Sequence, residues 1–147
     1  MKILDQSTPV RDKVLEGLKS APTRMQLEVV LAEALATALG GAPAGSPEAA
    51  EAFATVTLGA MRAYILIGRD MTESSVKLLG MMANVAGKVK MDPQFAMKSS
   101  LPGLAHATLA GPPGVANNMR SALDEAFLGV GQAFAETCRH LPRNSLS

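Results

Sequence analysis

His106 stands among apolar neighbours in Leu104-Ala-His-Ala-Thr-Leu109, on a segment bounded by prolines and glycines. Binding residues favour such connections, and His106 would supply a polar contact. The competing reading is a surface or hydrogen-bonded structural histidine. His140 is the only other imidazole, and no His-x-x-His or Cys-His pair of metal-ligand spacing occurs, so no metal site is expected. Arg62 lies inside the most apolar stretch of the chain, from Ala52 to Gly68. Its guanidinium must reach the rim along its stem or meet a carboxylate such as Glu51, Asp70 or Glu73. A functional use would be an anion clamp for a carboxylate or phosphate, although no glycine loop followed by Lys and Ser or Thr lies nearby.

Catalytic constellations are missing from the pattern. Cys138 and His140 are two apart and diverge by about 200° on a helix, so they cannot act as nucleophile and neighbouring base. Asp124 and Glu125 diverge in the same way. Gly129-Val-Gly131 lacks the preceding strand and the third glycine of a dinucleotide loop. An enzyme is therefore not expected, nor a cofactor. Met61, Met71, Met81, Met82, Met91, Met97 and Met119 crowd the middle of the chain, as core filler or as the lining of a partner groove or apolar ligand pocket. The adjacent Met81 and Met82 are expected not to face the same core.

These residues must be positioned by helices. The 147-residue chain is 48% hydrophobic with only 3% aromatic residues, a palette of small and flexible side chains suited to close helix packing. No alternating strand pattern appears. The formal charge of +1 provides no field for nucleic acid or an anionic membrane. One cysteine excludes an internal disulfide and fits a reducing, cytoplasmic setting. The first nine residues carry no apolar run of signal-peptide type, which leaves signal-less export open. The stretch 52–68, with Arg62 at its middle, is short for the roughly 20 residues of a bilayer span.

Local signals divide the chain. Pro9 reads as the start of a first helix ending by Ser20. Thr23 with Gln26 forms a capping box for a second, stopped by Gly40-Gly41. Residues 40–46 read as a flexible connector. Ser46-Pro47-Glu48 opens a third helix reaching Ile67, apolar nearly all round and so central. Asp70 and Glu73 cap a fourth, ending near Met91. Asp92-Pro93 opens a short turn of helix closed by Ser99-Ser100. The Pro- and Gly-rich segment 99–114 carries Leu101, Leu104, Ala105, Leu109 and Ala110, so it must lie on something, with a two-turn helix over 102–110. A last helix is expected as one rod from Val115 to His140, roughly 35–40 Å long.

The stretch Leu101-Pro-Gly-Leu-Ala-His106, leading through Gly114-Val115 into that last helix, resembles the proximal-histidine helix of globins and the helix after it. The resemblance covers about residues 72–140 and implies haem ligation by His106. The sequence departs from it in having no further long helix after His140 and no suitably placed Phe after Tyr64.

The reading that results is an all-α, single-domain bundle of five to seven helices. Its expected role is a non-enzymatic interaction module, presenting an apolar helix surface to itself or to a partner protein. A homodimer would form where Gly59, Ala63, Gly129 and Gly131 permit close approach. The alternative is a sensory or ligand-binding domain for a small apolar molecule, with His106, Arg62, Leu104, Met81 and Met82 as candidate contacts.

Overall fold

The third helix organises the rest. The Ser46 side chain accepts the Ala49 N–H at 3.1 Å, Pro47 occupies the first turn and Glu48 complements the positive end of the helix dipole, so α3 runs Pro47–Leu66. Thirteen of its twenty residues are buried, which leaves it only a narrow strip of solvent contact and makes it the axis of the bundle. The computed structural model describes residues 2–20 and 23–141. Around α3 it arranges α1 (Lys2–Lys19), α2 (Arg24–Leu39), α4 (Met71–Lys88), α5 (Pro93–Thr108), α6 (Val115–Ala126) and α7 (Val130–Arg139), with no strand among the described residues.

The caps form as their residue types dictate. Thr23 and Gln26 satisfy each other's backbone N–H groups at 3.2 and 2.8 Å, and Gly40 ends α2 in the left-handed region at φ 53°. Asp70 accepts the Glu73 N–H at 2.8 Å, and Asp92 accepts that of Phe95 at 3.0 Å. The connector 40–46 holds two turn hydrogen bonds, Ala42 N–H to Leu39 and Ser46 N–H to Pro43. Helix α4 stops at Lys88, three residues short of the expected end, with Lys90 at φ 59°.

Three elements differ from the sequence reading, two for a tertiary reason and the third for a local one. Helix α1 starts at Lys2 and passes through Pro9 instead of beginning there. Ile3, Ser7, Val10, Val14 and Leu18 form one buried stripe, and docking it on α3 offsets the roughly 3 kcal/mol of an interior proline. Helix α5 is likewise continuous through Ser99, Ser100 and Pro102, not two short pieces. Within 99–114, Leu101, Leu104 and Ala105 are buried as expected, whereas Leu109 and Ala110 are exposed. The expected rod 115–140 is two helices: Phe127 is extended, Gly129 sits at φ 84°, and α7 packs back on α6.

Glycines mark the closest approaches. A Cβ on Gly59 would lie 2.6 Å from the Val10 Cβ and 2.7 Å from the Ser7 carbonyl oxygen, so α1 sits directly on α3 there. A Cβ on Gly103 would overlap the Ala54 carbonyl oxygen and lie 2.9 Å from the Leu58 nitrogen. Helix α5 is thus pressed against the α3 backbone, one turn before His106.

Candidate functional site

Docking at Gly103 fixes the orientation of α5, and His106 follows three residues later on the same helix. Its side chain is 5% exposed, and its Nδ1 is buried without a hydrogen-bond partner. Burial pushes the imidazole below its ordinary pKa of 6.5, because the charged form loses solvation without gaining a carboxylate. The ring is therefore uncharged at neutral pH.

His106 lines a groove of about 830 Å³ between the start of α1 and helices α3, α5 and α7. Its walls are apolar, with Ile3, Ala54, Phe95, Leu101, Pro102 and Ala133 prominent. Phe95 is held by an edge-to-face contact with Phe53, centroids 5.9 Å apart at 85°. Polar groups enter at a few points: Glu51 from α3, Lys98 and Ser99 from α5, and Glu136, Thr137 and His140 at the end of α7. Both imidazoles of the chain thus border one groove. An apolar concavity with a few convergent polar groups is the usual form of a small-molecule site.

The other candidate contacts lie elsewhere. Leu104 is fully buried in the core and faces α5's neighbours rather than the groove. Met81 and Met82 are 3% and 0% exposed and belong to one core cluster, so the expectation that they do not face the same core is corrected. Helix α4 is packed against α2, α3, α5 and α6, and it has core on more than one side. Met81 also borders a separate groove of about 430 Å³ beside Tyr64, Arg69 and Lys77.

Arg62 meets none of the carboxylates expected for it. Its Nη1 donates to Ser7 Oγ at 2.8 Å, Thr8 Oγ1 at 3.0 Å and the Leu4 carbonyl at 3.3 Å, tying α1 to α3. Partial burial and the nearby Arg11 lower its pKa, but it stays a cation. The small residues expected at a dimer interface are used within the chain: Gly59 and Ala63 are buried, and a Cβ on Gly131 would lie 2.5 Å from the Arg120 carbonyl oxygen and the Asp124 Cβ. Gly129 is exposed and serves the turn into α7.

Phe95, Pro102 and Glu136 are not singled out by the sequence, and Glu51 and His140 enter it only as a partner for Arg62 and as a second imidazole. Glu51 and Glu136 lie on different helices, and only the packing brings them to one groove. Among the described residues no cluster of three or more His, Cys, Asp or Glu is arranged to hold a metal ion, and no helix is long and apolar enough to cross a membrane. The long helix on which the likeness to globins rested is divided at Phe127–Gly129, which removes the second of its two elements. No family model, curated protein or solved structure matches this chain.

Proposed function

We propose that the protein binds a small, largely apolar molecule in the groove between α3, α5 and α7, with His106 as its polar contact. The observation that carries this reading is the unpartnered, buried Nδ1 of a histidine on the wall of an apolar groove. An unsatisfied buried polar atom costs about 1–3 kcal/mol, and a site that retains one is adapted to something other than its own stability. The test is a fluorescence titration of the full chain with N-phenyl-1-naphthylamine, a neutral apolar probe. Ala133→Trp, which fills the groove from α7, is expected to weaken the probe at least tenfold with the helical circular dichroism retained. Unchanged probe affinity in that variant overturns the reading.

A second reading, docking of a helical surface, is favoured by α2. This helix is apolar on all sides, yet only Leu31, Ala34 and Leu35 are buried. Met25 is 74% and Val29 47% exposed, one turn apart, and Ala36 continues the same exposed face. Self-association through this face predicts a dimer by light scattering at high micromolar concentration that Val29→Glu dissociates. A wild-type monomer under those conditions rules it out.

A further inference from the structure

The polar groups of the His106 groove are unbalanced in a way that selects among ligands. Glu51 is half-buried and forms no ion pair among the described residues. Arg62, the cation nearest to it in sequence on α3, is turned toward α1 instead. Among the described residues Glu136, on α7, pairs with Arg139 at 3.9 Å. Beside these two carboxylates, the described lining of the groove carries one ammonium, the exposed Lys98. His106, uncharged, brings one acceptor nitrogen and one N–H donor, and no positive charge. Phe95 supplies an aromatic wall of the kind that attracts cations.

We propose that the ligand is an amphipathic amine, with its apolar body between α5 and α7 and its ammonium group turned toward Glu51. This rests on the reading of the groove as a binding site, and it adds the charge and donor character of the ligand. A fatty-acid-like anion of the same length would lie against the Glu51 carboxylate, with the exposed Lys98 on α5. An ammonium group brings up to three N–H donors to Glu51, which forms no ion pair among the described residues.

The experiment compares decylamine, decan-1-ol and decanoate as competitors of N-phenyl-1-naphthylamine on the full chain at pH 7.5 and low salt. Decylamine, protonated at this pH, is expected to displace the probe at about tenfold lower concentration than decanoate, with the alcohol between them. Glu51→Gln is expected to weaken decylamine about threefold or more and leave decan-1-ol unchanged, the size of one partly exposed charge pair. Glu51 also borders a second groove of about 460 Å³ between α1, α2 and α3, so Ala133→Trp, remote from it, must weaken decylamine binding read directly by isothermal titration calorimetry. Decanoate equal to or better than decylamine, or decylamine binding that survives Ala133→Trp, refutes the amine assignment while probe binding keeps the groove as a site. Failure of the probe itself to bind removes both.

Discussion

Gly103→Ala adds one methyl group where α5 meets α3, and it probes the contact that sets the position of His106. The new Cβ would overlap the Ala54 carbonyl oxygen and come within 2.9 Å of the Leu58 nitrogen and 3.0 Å of the Thr57 Cβ. Two of these three are backbone atoms inside a helix, so no side-chain rotation can make room. The helices must separate, and Leu101 and Leu104 on α5 lose part of their packing. Overpacking of this kind costs typically 1–3 kcal/mol, and the upper end applies where backbone must move. The better helix propensity of alanine returns up to about 1 kcal/mol, leaving a net loss near 2 kcal/mol. Gly87→Ala is the control: it lies within α4 with nothing inside 4 Å of its Cβ position, so it is expected to gain about 0.5–1 kcal/mol. At roughly 3 °C per kcal/mol for a chain of this size, the two variants should melt about 8 °C apart by circular dichroism, on opposite sides of the wild type. A Gly103→Ala protein as stable as Gly87→Ala would show that α5 does not rest on α3 at this point.

The sequence was most legible where structure is settled within four residues. Thr23 with Gln26, Ser46 with Pro47, Asp70 with Glu73 and Asp92 with Pro93 each state a helix start, because the side chain and the backbone donor it satisfies are close in the chain. Prolines misled where distant burial outweighed local cost. Pro9 and Pro102 each read as a boundary, yet α1 and α5 run through them because each helix buries a stripe against α3. The fault near Gly129 had the opposite origin. The apolar period continues across residues 126–130, and the extended Phe127 together with the left-handed backbone at Gly129 turns a rod into a hairpin that lets Gly131 touch α6.

The candidate site was legible in one residue. His106 stands out by type and neighbours, but the groove that gives it meaning is assembled from positions distant in sequence, such as Ile3, Glu51 and Glu136. Their adjacency follows from which faces α1, α5 and α7 present to α3, and one sequence carries no direct record of that choice. Small-residue pairs show the same limit. Gly59 and Gly131 correctly signal close approach, whereas the approaching helix comes from the same chain, and spacing alone does not distinguish the two cases.

Three further outcomes follow from the side chains around this frame. Leu104→Asp places a carboxylate at a fully buried position and is expected to lower stability by more than about 3 kcal/mol in urea unfolding; a silent substitution would mean that α5 is not docked. Arg62→Met keeps the apolar stem but removes the bonds to Ser7, Thr8 and the Leu4 carbonyl, so a loss of about 1–2 kcal/mol is expected, against no loss if α1 is held by apolar contacts alone. The last concerns pH. Burial lowers the His106 pKa in the folded chain, whereas the unfolded chain titrates near 6.5. Between these values the unfolded state binds a proton that the folded state does not, so stability is fully present above about pH 6.5 and is lost as pH falls toward the folded pKa. His106→Phe removes both the titration and the unpartnered Nδ1. It is therefore expected to be no less stable than wild type at pH 7.5, and to lose less urea resistance between pH 7 and pH 5.5. The carboxylate background is common to both proteins, so parallel curves across that window would show that the imidazole takes up its proton as readily when folded, and that the ring is not shielded as its burial requires.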